Sequence, residues 1–228
     1  MTSSAPLLRA VVLAGGDPLP PGDLPAAADA LDAAGLVVAA DGGLAHAARL
    51  GRGVDAVVGD LDSVDAGELA AAEAAGARVH RHPPDKDATD LALALDLVLA
   101  RAVGAPGGRR VDVTVIGGHG GRADHLLGNA LLLGSERYAP LRLRALWGGA
   151  VLRVVRDAQV LDGVPDGLVS LLALHGPARG VRTEGLRFAL DGAELRPGSS
   201  IGLSNRMTGS TARVSLEAGV LLTVQPGT

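Results

Sequence analysis

Short apolar runs rich in Val and Leu alternate with longer Ala/Leu runs over roughly the first 140 residues, the rhythm of a parallel sheet covered by helices. Strands are predicted over Leu8–Ala14, Leu36–Ala40, Ala56–Val58, Arg78–His80, Asp112–Ile116 and Leu141–Leu146. Helices are predicted over Leu24–Ala34, Leu44–Leu50, Ala66–Ala75, Asp87–Val103 and Arg122–Leu133. The fourth helix carries two periods at once. Leu91, Leu93, Leu95, Leu97 and Leu99 alternate as in a strand, but length and Ala/Leu propensity favour a helix buried on more than one face.

From about Val151 the rhythm changes. The runs "VLRVV", "GLVSLLAL", "SSIGLS", "TARVSL" and "GVLLTV" are short and separated by Gly, Pro, Asp or Asn, which reads as an antiparallel sandwich or barrel. The Gly pair of "WGGA", Trp147–Ala150, marks the change, giving an α/β domain over 1–147 and a β domain over 148–228. "APGGRR", Ala105–Arg110, reads as a loop between helix and strand.

Composition narrows the chemistry. Aromatic residues are 1% of the chain, so the core is built from Leu, Val and Ala, and a stacking ring must come from Trp147, Tyr138 or Phe188. The absence of Cys excludes disulfides and thiolate metal sites. A net charge of −4 gives no footprint for nucleic acid, so an anionic partner needs a bridging cation. Met1–Pro6 lacks the basic start of a signal peptide, and no apolar run reaches the ~18 residues of a membrane span. A soluble cytoplasmic protein without membrane partners is the expectation.

The polar clusters of the first half fall where the predicted strands end. "GGD" with Asp17, "DGG" with Asp41, "GDLDS", "HPPDKDATD" and "GGHGGRADH" each follow one strand. Doubly wound sheets bind ligands at that rim. Asp60 and Asp62 are two apart, so in extended backbone they face the same way. Asp87 is placed to cap the following helix, and Asp90 three residues on shares its face. Two pairs of carboxylates on neighbouring connections can converge on one ion, and an oxygen-only donor set suits Mg²⁺ over zinc. Mg²⁺ is commonly completed by phosphate oxygens, which points to a nucleotide polyphosphate. The glycines of "GGHGGRADH" let backbone N–H groups approach an anion, and Arg122 can fork two phosphate oxygens. Asp124 could bind the metal or accept a proton.

With these pieces the sequence resembles the thiamin pyrophosphokinase family. The matching stretches are "ADGGLAHA", Ala40–Ala47; "GDLDS", Gly59–Ser63; "DKDATD", Asp85–Asp90; "GGHGGRADH", Gly117–His125; "TEGLRFAL", Thr183–Leu190; and "GLSN", Gly202–Asn205. They occur in the family's order and span nearly the whole chain. The resemblance implies an α/β fold with a Rossmann-like N-terminal domain and a parallel sheet, followed by a C-terminal antiparallel β-sandwich. It implies a homodimer, with thiamin held between one subunit's sandwich and the other's α/β domain. The implied reaction moves the terminal diphosphate of ATP to thiamin's hydroxyl, giving thiamin diphosphate and AMP. By the family's motifs, Asp60, Asp62, Asp87 and Asp90 would hold Mg²⁺-ATP, with Asp41, Gly42, Gly118 and Gly121 beside the nucleotide. Arg122 and Asp124 would flank the transferred group, with Asp62 or Asp124 taking the hydroxyl proton. Ser204 and Asn205 would contact thiamin.

The chain departs from the family where an acidic residue and an aromatic often follow the Ser-Asn pair: it reads Arg206-Met207. Phe188 and Ala189 stand where Trp and Pro are usual. Two alternatives follow, a diphosphokinase for another small alcohol and a non-catalytic thiamin or nucleotide sensor. A dinucleotide-dependent dehydrogenase is disfavoured, because "GGDPLPPGD" lacks the Gly-x-Gly-x-x-Gly spacing and its prolines spoil a helix there.

Overall fold

Apolar strand runs with no polar alternation must be covered on both faces, and the first half satisfies that demand. The structure, a computed structural model, describes residues 7–85, 87–103 and 111–227. The proposed loop Ala105–Arg110 lies outside them. In order along the first half come β1 (Leu8–Ala14), α1 (Leu24–Asp32), β2 (Leu36–Ala40), α2 (Leu44–Arg49), β3 (Ala56–Gly59), α3 (Ala66–Ala74) and β4 (Arg78–Arg81). They are followed by α4 (Asp90–Val103), β5 (Val111–Ile116), α5 (Ala123–Leu133) and β6 (Leu141–Trp147). The six strands pair in parallel in the order β4-β3-β2-β1-β5-β6. All five residues of β2 are buried, as are Ala10 to Ala14 of β1.

The ambiguous leucine-rich segment is a helix. Leu91, Ala94, Leu95, Val98 and Ala102 are its buried positions, a helical stripe that packs over β1, β2 and β3. Its start differs from the expectation. Asp87 does not begin or cap it; Thr89 does, its hydroxyl accepting from Ala92 N–H at 3.3 Å. A hydroxyl one residue before the first helical position reaches that orphan N–H, whereas Asp87 lies a further turn position away. Likewise α5 begins at Ala123 rather than Arg122.

Helix α3 shows how one side chain fixes a terminus. The Asp65 carboxylate accepts from Gly67 N–H and Glu68 N–H, both at 2.9 Å. Asp65→Ala removes both bonds. It is expected to cost about 1 kcal/mol and to lower the melting temperature by about 3 °C, read by circular dichroism.

The described residues form two compact units, one within Met1–Leu132 and Pro140–Gly149, the other Leu133–Ala139 and Ala150–Thr228. The second unit contains β7 (Ala150–Val155), β8 (Ala158–Asp162), β9 (Leu168–Glu184), β10 (Ala193–Leu195), β11 (Asn205–Arg206), β12 (Thr211–Ser215) and β13 (Ala218–Gln225). All of the pairings are antiparallel, in the order β7-β13-β9-β12-β8, with β10 and β11 also on β9. The run "GLVSLLAL" does not end at Leu174. The strand bends through His175, Gly176 and Pro177 at a register shift and continues to Glu184. Its first part pairs with β11 and its second part with β10 and β12. A strand that bends at a bulge can serve both layers of a sandwich, and proline is tolerated at such a bulge. Between the layers lie Leu161, Val169, Leu171, Val181, Leu195, Met207, Val214 and Leu221.

"SSIGLS", Ser199–Ser204, is not a strand. Leu203 N–H donates to the Ser200 carbonyl, Ile201 N–H to the Ser199 hydroxyl, and Ser204 has φ 53°. Local side-chain and turn hydrogen bonds outcompete a ladder there.

Candidate active site

The carboxyl ends of β1, β2 and β5 open onto a cleft of about 470 Å³. Its walls include Gly15 and Gly16 after β1, Asp41 and Gly42 after β2, Asp90 at the start of α4, and Gly118, His119 and Arg122 after β5.

Asp41, Asp60 and Asp62 converge, with one oxygen of each lying within 4.8 Å of the others. The extended backbone expected between Asp60 and Asp62 is not what brings them together. β3 ends at Gly59, and Leu61, between the two acids, has φ 66°. A non-glycine residue in that region is strained by roughly 1–2 kcal/mol, and Leu61 is buried. Asp41 also has a positive φ, 45°, and its carboxylate accepts from the Ser63 hydroxyl. Gly59 makes room for the approach of the strand ends. A Cβ on Gly59 would sit 3.0 Å from Asp41 Cβ and 3.1 Å from Asp90 Oδ1.

The electrostatics match the geometry. The Asp62 carboxyl is raised above its ordinary pKa, first by the charge of Asp60, then by burial, Asp41, a hydrogen bond with Asp60, and Asp90. Asp41 Oδ1 is buried with no hydrogen-bond partner. A buried carboxylate oxygen without a donor, set among like charges, fits a cation in that space. Oxygen donors alone suit Mg²⁺, and Asp41, Asp60 and Asp62, with Asp90 beside them, are the residues that would hold it. Sequence reasoning placed Asp41 with the nucleotide rather than the metal. Asp87 is exposed in the loop before α4 and is outside this trio.

The glycine loop is held open by its backbone. Gly117, Gly118, Gly120 and Gly121 have φ of 80°, 89°, 93° and 58°, a region glycine enters without steric cost. Gly118 N–H donates to the Gly15 carbonyl at 2.8 Å, Asp17 N–H to the His119 carbonyl at 2.9 Å, and the Asn129 amide to the Gly118 carbonyl at 2.9 Å. Arg122 follows the loop and donates to both Asp124 oxygens, at 2.9 and 2.7 Å. This pairing raises the Arg122 pKa and, by its hydrogen bonds first, holds the Asp124 carboxyl well below the usual carboxylate range. Further cleft residues not singled out in the sequence are Arg49, Ser63, Thr89 and Asn129. Each sits on the helix or loop following a strand, so its direction depends on the packing of that helix.

In the second unit Asn205 is 2% exposed. Its Oδ1 accepts from Phe188 N–H at 3.0 Å and Arg206 N–H at 2.8 Å, and its Nδ2 donates to the Phe188 carbonyl at 2.8 Å. It therefore fixes the stretch carrying Phe188, which is itself exposed. Ser204 is exposed, its N–H donating to the Ser170 hydroxyl at 3.1 Å. Asn205→Ala is expected to cost about 2–4 kcal/mol, because it unpairs several backbone groups at once; thermal denaturation reads the loss. The two departures at 206–207 have local explanations. Arg206 donates to the Asp166 carbonyl at 2.8 Å, and Met207 is a core residue rather than a ligand-facing one, at 1% exposure.

Comparison with known proteins agrees with this arrangement. The thiamin pyrophosphokinase catalytic domain matches residues 27–143, and the vitamin B1 binding domain of thiamin pyrophosphokinase matches residues 159–221. The thiamine pyrophosphokinase of Bacillus subtilis is 26% identical over 169 residues, covering 73% of this chain and 76% of that protein. Thiamine pyrophosphokinase 1 of rice is 24% identical over 175 residues, covering 75% of this chain and 65% of that one. Among solved structures, the B. subtilis enzyme superposes with TM-score 0.78 at 24% identity over 96% of this chain and 99% of that chain. Thiamin pyrophosphokinase from Candida albicans gives 0.78 at 13% identity over 96% and 89%; these two show the shared fold. With both domain models matched in order along its length, the chain belongs to the thiamin pyrophosphokinase family.

Proposed function

We propose that the chain transfers the terminal diphosphate of ATP to the primary hydroxyl of thiamin, giving thiamin diphosphate and AMP. The observation that carries this reading is the meeting of Asp41, Asp90 and Arg122 on one cleft, with Asp60 and Asp62 grouped at Asp41. Residues 1–147 serve as the ATP-binding catalytic domain and 148–228 as the thiamin-binding and dimerisation domain.

Asp41, Asp60 and Asp62, with Asp90 beside them, would hold Mg²⁺. The ion supplies charge neutralisation that lets a polyphosphate lie among carboxylates. Backbone N–H groups of the Gly117–Gly121 loop other than that of Gly118, together with the start of α5, donate to phosphate oxygens. Arg122 exchanges its pairing with Asp124 for the transferring group, stabilising charge that builds there. Thiamin's hydroxyl oxygen attacks the β-phosphorus, the bond from that phosphorus to the α–β bridging oxygen breaks, and AMP leaves. Asp124, relieved of Arg122, takes the hydroxyl proton. Ser204 and the segment fixed by Asn205 receive thiamin.

The chain acts as a cytoplasmic homodimer. Support comes from exposed apolar side chains in each unit: Leu127 and Leu131 on α5, and Phe188, Ile201 and Leu203 in the second unit. Among the described residues no helix is long and apolar enough to cross a membrane. Light scattering on the purified chain tests the dimer.

Incubation with Mg-ATP and thiamin tests the reaction. AMP and thiamin diphosphate are expected in equal amounts, with no ADP. AMP without thiamin diphosphate would move the chain to another acceptor, and ligand binding without AMP would make it a sensor.

A further inference from the structure

Away from the cleft, the first unit carries a second cavity of about 540 Å³ at the open edge of its sheet. Two periodicities build it. β4 is the edge strand, paired only with β3, and alternation puts Arg78 and His80 on one face, with His82 continuing the series past the strand end. Helix α4 presents Leu93, Leu97 and Arg101 to the same cavity, spaced four apart along one face. Val58 of β3 contributes to the apolar lining.

The lining is chemically one-sided. Arg78, His80, His82 and Arg101 surround an apolar floor, and Asp96 is the one acid among the lining residues. Among the described residues, none of those four basic side chains makes a side-chain hydrogen bond or ion pair.

Charge on an edge strand guards against edge-to-edge pairing, and Arg78 and Arg81 serve that purpose. That purpose requires neither Arg101 on α4 nor an apolar floor between the two elements. A second copy pairing along β4 is disfavoured, since like charges would face each other. Small-molecule sites commonly combine a mostly apolar wall with a few placed polar groups in 300–1,000 Å³ or thereabouts. Guanidinium groups match phosphate oxygens in geometry and charge.

We propose that the cavity between β4 and α4 is a binding site for a small organic phosphate. Arg78 and Arg101 take the phosphate, and Leu93, Leu97 and Val58 cover a flat apolar body. The site is separate from the catalytic cleft, so it stands or falls apart from the diphosphate-transfer reading.

The test is a ¹H–¹⁵N NMR titration of the full chain with phenyl phosphate, run beside inorganic phosphate and phenol. Phenyl phosphate is expected to shift resonances of β4 and the Leu93–Arg101 face saturably, at least tenfold more tightly than either control. The exposed Arg78→Gln/Arg101→Gln double variant should weaken that binding at least tenfold while keeping the wild-type spectrum elsewhere. Shifts confined to the Gly117–Arg122 loop would overturn the proposal. So would equal affinity for the three probes, or for the double variant.

Discussion

Arg122→Ala is expected to lower turnover about a hundredfold or more, the usual consequence of removing a donor or cation that stabilises transition-state charge. The variant separates function from stability. The Arg122 side chain is 68% exposed and its ion pair with Asp124 is 65% exposed on the acid side, and exposed pairs add little to folding. The melting temperature should therefore stay at the wild-type value. Loss of the guanidinium also removes the first cause of the depressed Asp124 carboxyl, which returns toward the ordinary range. Arg122→Lys keeps the charge but not the two-pronged geometry, and an intermediate loss near tenfold is expected. AMP release from Mg-ATP and thiamin, followed with both variants, makes the check. Wild-type turnover in Arg122→Ala would take Arg122 out of the mechanism.

The part of the fold legible in the sequence is the part with one answer for each local pattern. β1 and β2 were readable to the residue because a run buried on both faces has sharp polar ends. The leucine alternation in α4 was resolved by its length, and its buried stripe confirms that length was the stronger signal. In the second unit local patterns compete. His175-Gly176-Pro177 looks like a strand end, yet β9 bends there and runs on, because two layers need a shared strand. Ser199–Ser204 looks like a strand, yet its serines and Gly202 favour turns. β8, β10 and β11 carry no apolar run that marks a strand in the sequence, and they form by pairing with β12 or β9.

The site follows the same division. That acids gather where β2 and β3 end was legible from strand ends alone. That Asp41 joins Asp60 and Asp62 was not, because it depends on two left-handed backbone positions, Asp41 and Leu61, and on the missing side chain of Gly59. By its motif, Asn205 reads as a substrate contact. Its three backbone bonds around Phe188 and Arg206 appear only when β9, β11 and the Phe188 stretch come together.

Asp62→Asn is expected to divide two properties that the wild-type chain balances against each other. In the metal-free protein the carboxylates repel, and Asp60 is the first cause of the raised Asp62 pKa. A group whose folded pKa is raised binds protons more tightly when folded, so stability falls as pH rises from the ordinary value of 3.8 through the folded one. An amide of the same shape removes that charge. Metal-free Asp62→Asn should melt higher than the metal-free wild type at neutral pH, and the gap should close as the pH falls toward the carboxylate range. With Mg²⁺ the order reverses. The wild type gains stability by ligand linkage, while the variant, short of one anionic oxygen ligand, gains much less. Turnover should fall about a hundredfold or more in the variant, since the charge that positions and screens the polyphosphate is weakened. Differential scanning fluorimetry with and without Mg²⁺ at two pH values, beside the AMP assay, reads all three effects. A variant that melts lower than wild type without metal, or responds equally to Mg²⁺, would mean that Asp62 does not share a cation with Asp41 and Asp60.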